Sequence, residues 1–204
     1  MAKVAEIKQE NIVLAAIEIF TEKGLDQASM EAIAKKAEVS KRTLYKYYPT
    51  KDSLFGVIVD RLLMSCKGMK ALSFCPNTDI KEQLVAIAEK EVALLSQHEF
   101  LALSRMVMTE CVRSQEVAEL MIARLQQLEG GYGLEQWISS AIDANKLVVP
   151  YPQIAAEQFF ASLKAVVFWP QILMHQPLAS KEQQTIAIEC AVNQFIAAYA
   201  VAKA

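Results

Sequence analysis

Between Ser29 and Pro49 the chain has room for two short helices joined by a tight turn, and for little else. Ser29 is placed to cap the first, because its side-chain oxygen can accept a free first-turn amide. Glu31 then puts negative charge where the helix dipole favours it. Ile33, Ala34 and Ala37 give this helix an apolar inner face. Glu38-Val39-Ser40 follows as the turn, with Ser40 capping a further helix predicted over Lys41–Tyr47, which Pro49 must end. Two short helices across such a turn describe a helix-turn-helix. In that unit the second helix lies in the major groove of DNA, with its first residues toward the base edges.

The flanks extend the helical pattern. Ile12, Ala16, Ile19 and Phe20 form one apolar stripe of a preceding helix that should stop near Gly24. Thr50 caps a fourth helix, with Asp52 in its first turn. Beyond it, longer helices are predicted at 51–73, 79–97, 99–112, 115–143 with a break at Gly130-Gly131, 152–175 and 180–202. Cys75-Pro76-Asn77-Thr78 and Pro150-Tyr151-Pro152 are the clearest loops, and Pro170 should kink its helix. Only six Gly and six Pro accompany an apolar content of 53 %, which argues against a sandwich or barrel. The expected fold is all-α: an N-terminal three-helix helix-turn-helix head, residues 1–50, joined to a larger C-terminal helical bundle, residues 51–204. So much apolar material should be hidden in an interior pocket, a subunit interface, or both.

The net charge of −2 conceals a local imbalance. Lys35, Lys36, Lys41, Arg42, Lys46 and Lys51 face only Glu38 across residues 35–51, whereas residues 52–204 carry 12 basic and 16 acidic side chains. A compact basic patch on an otherwise acidic chain is the footprint of a phosphate-binding surface. Within it, Lys41 and Arg42 can reach guanine O6 and N7 or a phosphate, and Thr43 offers a hydroxyl and a methyl. Lys46 lies one turn further along the same side. Tyr45, Tyr47 and Tyr48 are too many for a short helix to bury, so at least one phenol should point to a phosphate while another packs the core. Lys51, beside the free amides of its own helix, would complete a phosphate site.

These residues carry a resemblance. The segment SMEAIAKKAEVSKRTLYKYYPTKDSLF is similar to the N-terminal domain of the TetR family of bacterial transcription regulators, over about residues 8–56. The resemblance implies a homodimer whose heads each read half of a near-palindromic operator, and a helical C-terminal domain that binds a small ligand and dimerises. It places Lys41, Arg42, Thr43 and Lys46 at bases, follows the Ser40 cap, sets Tyr45, Tyr47 and Lys51 on the backbone, and puts Tyr48 in an aromatic core slot. Two residues depart from the pattern: Glu38 stands where Gly is usual, at a left-handed turn position, and Tyr47 where His is common. From about residue 78 onward the chain resembles the C-terminal half of the AefR-like subgroup.

Elsewhere the sequence excludes more than it assigns. No apolar run is long enough to span a membrane, the first residues have no signal-peptide core, and a cytoplasmic location is expected. Cys66, Cys75, Cys111 and Cys190 form no metal-ligand spacing and are expected to be reduced, buried thiols. His98 and His175 stand in no catalytic or metal motif, so neither enzyme, metal nor cofactor is expected. The larger part instead holds polarisable and aromatic side chains on separate predicted helices, Met69, Met108, Met174 and Phe159 among them. Met64, Met106, Glu110, Met121, Phe160, Phe168 and Trp169 are the candidates for an adaptable apolar pocket. The last two helices, poor in charge and rich in Ala, suit a four-helix dimer interface. The function expected is a ligand-responsive DNA-binding regulator, a repressor answering to a small apolar or aromatic effector. A ligand-independent activator or architectural protein with the same head is the alternative.

Overall fold

The computed structural model describes residues 2–66, 72–127 and 133–201. Among them are α1 (Ala2–Gln27), α2 (Met30–Lys36), α3 (Lys41–Tyr47), α4 (Lys51–Ser65), α5 (Ile80–Leu95), α6 (His98–Arg113), α7 (Gln115–Gln127), α8 (Gly133–Asp143), α9 (Pro152–Val167), α10 (Trp169–Leu173) and α11 (Lys181–Tyr199). The all-α expectation holds. The only strand-like pairing among the described residues is a bridge between Leu147 and Ala200. No helix there is long and apolar enough to cross a membrane. The chain groups into two compact units, Met1–Met64 with Ala102–Gln127, and Ser65–Leu101 with Leu128–Ala204.

In the first unit the predicted stripe of α1 is the core: Ile12, Ala16, Ile19 and Phe20 are buried together with Ile33, Leu44, Leu54, Phe55 and Ile58. Phe20 meets Phe55 edge to face, with centroids 6.2 Å apart. The caps form as their chemistry requires. Ser29 accepts the Ala32 amide and Ser40 the Thr43 amide. Thr50 and Ser53 exchange bonds at the start of α4, each side chain accepting the other's amide.

The turn between α2 and α3 is a Schellman motif: Glu38 donates its amide to Lys35 O and Val39 donates to Ala34 O. That motif needs a left-handed residue, and Glu38 supplies it at φ 54°. Gly24 interrupts α1 with φ 77° and ψ 165°, a conformation almost confined to glycine. The first helix thus breaks at Gly24, as expected, and a single short turn to Gln27 follows the break.

In the second unit α9 packs against α5, α8, α10 and α11. Phe159 meets Phe160 and Phe195 edge to face at 5.7 and 5.6 Å. The Glu91 carboxylate is buried among these helices, 3.7 Å from the Lys164 ammonium. Burial raises its pKa above the ordinary carboxylate range, and Lys164 opposes the rise. Asp79 caps α5, and Ser180 with Gln183 makes a full capping box on α11.

Several boundaries differ from expectation. α4 ends at Ser65, well short of 73, and residues 72–74 are not helical. The helix expected over 152–175 breaks at Phe168 (φ −134°, ψ −60°), because Pro170 cannot continue the ladder and instead opens the short α10. α11 stops at Tyr199, where the next residues turn to pair with the segment after α8. Met69 and the break at Gly130-Gly131 lie outside the described residues. The thiols are not buried: Cys75 and Cys190 are exposed, Cys66 and Cys111 half-buried. Cys75 sits in a proline turn and Cys190 on the outward side of α11, next to the inward Ala191, so their apolar character did not decide their place.

Glycine at position 38 would remove about 1–2 kcal/mol of left-handed strain, offset in part by its larger unfolded-chain entropy of about 0.5–1 kcal/mol. Glu38→Gly should therefore stabilise the fold by roughly 0.5–1 kcal/mol, seen as a higher urea midpoint at an unchanged slope.

Candidate nucleic-acid interface

α3 is held by its buried side. Leu44 is fully buried and Tyr48, just past the helix end, nearly so. Burial first, and then the nearby Glu10 carboxylate, raise the Tyr48 phenol above its usual pKa. With Leu44 and Tyr48 inward, helical spacing turns Arg42 and Lys46 outward with Tyr45 beside them; these three, and Lys41 at the helix start, are exposed. Thr43 and Tyr47 sit half-buried on the flanks. Lys46 Nζ lies 5.6 Å from the centre of the Tyr47 ring, a cation–π contact that keeps both groups on one side of the helix end.

The other candidates are already engaged. Ser40 caps the helix and its hydroxyl is 2.8 Å from that of Thr43, so both oxygens belong to the helix start. Lys41 pairs with Glu31 of α2 at 3.0 Å, and this hydrogen bond draws the Glu31 carboxyl below its usual pKa. Lys36 is paired with Glu18 and lies 3.7 Å from Glu22. Lys51 turns toward the end of α1, donating to Leu25 O at 2.7 Å and Asp26 O at 2.9 Å. An ammonium has three protons, so one remains for a phosphate. Among the described residues nothing pairs with Arg42. Nothing in the sequence marks Glu31 as the counter-ion of Lys41. Its only visible signal was an acid in the first turn of α2, which served there as a dipole partner.

The seven pocket candidates are divided between the two units. In the first, Met106 and Glu110 border a hollow of about 250 Å³ with Phe20–Gly24, Arg105 and Arg113. Arg105 and Glu110 thus share one hollow despite their spacing of five. In the second, Phe160 and Trp169 border a hollow of about 390 Å³ with Lys164, Gln153, Glu157 and Glu135. Phe168 is instead buried in packing, 6.2 Å from Phe100 and 5.0 Å from Trp169 between ring centres. Met64 is exposed and Met121 half-buried, and neither borders these hollows. Met64 comes at the outer side of the last turn of α4, next to the inward Leu62 and Leu63.

Comparison with known proteins gives the family. Residues 12–58 match the profile of bacterial regulatory proteins of the tetR family, and residues 82–201 that of the AefR-like transcriptional repressor C-terminal domain. A TetR family transcriptional regulator from Pseudomonas syringae pv. tomato is 33 % identical, with 96 % of this chain and 98 % of that one covered at a TM-score of 0.83. The flavonoid-responsive regulator FrrA is 26 % identical over 96 % of this chain and 98 % of its own, at a TM-score of 0.74. The HTH-type transcriptional regulator YvdT of Bacillus subtilis is 44 % identical over 63 residues. That match spans 31 % of this chain and 32 % of YvdT. The chain belongs to the TetR family of transcriptional regulators, and its C-terminal part is of the AefR-like kind.

Proposed function

We propose that the protein is a repressor that binds a near-palindromic operator as a homodimer and answers to an aromatic small molecule. The observation that carries the DNA half is the outward row of Arg42, Tyr45 and Lys46 on a helix anchored by Leu44. Arg42, without a protein partner among the described residues, reads a base edge; Tyr45 and Tyr47 hold phosphates; Lys51 gives its third proton to another. Thr43 and Lys46 complete the base-facing set, and Lys41 joins it when it leaves Glu31. Residues 1–50 act as the reading head and residues 51–204 as the effector-binding and dimerising part. The dimer forms through α9 and α11, whose mutual packing leaves Ile154, Val166 and Ile186 exposed for a second copy.

The effector site is the hollow beside Phe160 and Trp169. Its volume of about 390 Å³ falls within the range of small-molecule sites, about 300–1,000 Å³. Its aromatic lining suits a planar ring system. FrrA's name describes it as flavonoid-responsive, which makes flavonoids the first compounds to try.

Selection of binding sites from random duplex DNA at about 150 mM salt, where phosphate contacts are neither saturated nor abolished, should yield a palindromic consensus. Arg42→Ala should lose about 1–3 kcal/mol on that consensus and relax the preference at one position per half-site. No enrichment by the unaltered protein would refute the reading. Glu31→Gln removes the competing carboxylate from Lys41 and should tighten operator binding about two- to fivefold. A weaker complex in an electrophoretic shift titration would show that the pair assists binding instead.

An effector in the hollow should quench the fluorescence of Trp169, which is partly exposed, and reduce operator affinity roughly 5–150-fold. Trp169→Phe should abolish the quench while leaving DNA binding intact. A quench that persists in this variant would place the ligand nearer Trp137.

A further inference from the structure

Two glycines in the first unit lie where side chains of α6 and α7 come down on α1 and α4. A Cβ on Gly24 would stand 2.6 Å from Arg113 Nη1 and 3.2 Å from Glu110 Oε1, and one on Gly56 would stand 2.8 Å from Arg124 Nη2. Each seat is closed by a polar bond. The Leu25 amide, left outside the helix ladder by the interruption at Gly24, donates to Glu110 Oε1 at 3.2 Å. At the other seat Arg124 pairs with Asp60 of α4. The carbonyls of Leu25 and Asp26 are taken by Lys51 at the start of α4, so the break in α1 ties together α1, α4 and α6.

We propose that Glu110 and Arg124 are positioning residues for DNA binding. They clamp α1 and α4 onto α6 and α7 and so fix the direction in which each head offers α3. This inference rests on the dimeric operator reading above and adds the contacts that set the head's attitude. Two observations separate positioning from mere stability. Arg124 and Asp60 are both half-buried, with side chains 32 % and 44 % exposed, so water still screens the pair and its contribution to folding is modest. Gly56, for its part, leaves room for the Arg124 guanidinium, which a Cβ at that position would crowd. Glu110, in contrast, is buried, and its Oε1 accepts from the Leu25 amide and, at 3.4 Å, from Arg113 one turn along α6.

The test uses operator duplexes whose half-site spacing differs by one base pair from the selected consensus. Glu110→Ala and Arg124→Ala should each bind the consensus roughly tenfold more weakly and lose most of the preference among spacings. Glu110→Gln keeps an acceptor for the Leu25 amide and should stay within about twofold of the unaltered protein. Hydrogen exchange at that amide should be fast in Glu110→Ala and slow in Glu110→Gln. The clamp is overturned if both alanine variants fold and retain affinity and spacing preference. Should Glu110→Ala fail to fold, Arg124→Ala decides by the same measurements. If the unaltered protein selects no spacing, the operator reading fails first and the clamp falls with it, a result visible before any variant is made.

Discussion

A seven-residue helix has no stability of its own in water, because the cost of nucleating it is never recovered over so few hydrogen bonds. α3 persists because Leu44 and Tyr48 are buried against the rest of the head and Ser40 satisfies its first free amide. That anchorage determines everything on its other side. Once Leu44 points inward, geometry alone sends Arg42, Tyr45 and Lys46 outward, and no further interaction is needed to hold them there. The reading surface is thus a by-product of packing, and its precision is set by how well α1, α2 and α4 hold one leucine and one tyrosine.

Much of this was legible in the residues. The stripe of Ile12, Ala16, Ile19 and Phe20, the caps Ser29, Ser40 and Thr50, and the span Lys41–Tyr47 follow from rules acting over a few residues, and the structure has them in place. Glu38 shows the same locality. A turn that must reverse between Ala37 and Ser40 requires a left-handed residue whichever side chain is present, and the chain accepts the strain. The helix broken at Phe168 was half legible: Pro170 announced a disturbance, but whether the helix bends or restarts depends on what packs beside it.

What could not be read were the choices made by long side chains. Lys36, Lys41 and Lys51 look alike in sequence. One turns to Glu18, one to Glu31 and one to two backbone carbonyls, depending on which acceptor lies within reach after folding. Glu110 is a pocket candidate on composition and does border a hollow, but its Oε1 also takes the Leu25 amide across 85 positions of chain and the nearby Arg113. Met64, Met106 and Met121 carry the same apolar label and end exposed, buried and half-buried. Helical periodicity says which side of a helix is apolar, not which neighbour will cover it.

The Lys41–Glu31 pair also bears on how the complex responds to ions. A free lysine that meets a phosphate releases a condensed cation from the duplex, and each such release steepens the fall of affinity with salt. Lys41 arrives with a carboxylate beside it, so any contact it makes with the duplex trades one anionic partner for another. Together Lys41 and Glu31 bring no net charge to the duplex. The salt dependence of this head should therefore count fewer charges than its six basic residues between 35 and 51 would suggest, leaving a larger share of its affinity to contacts that ionic strength does not screen.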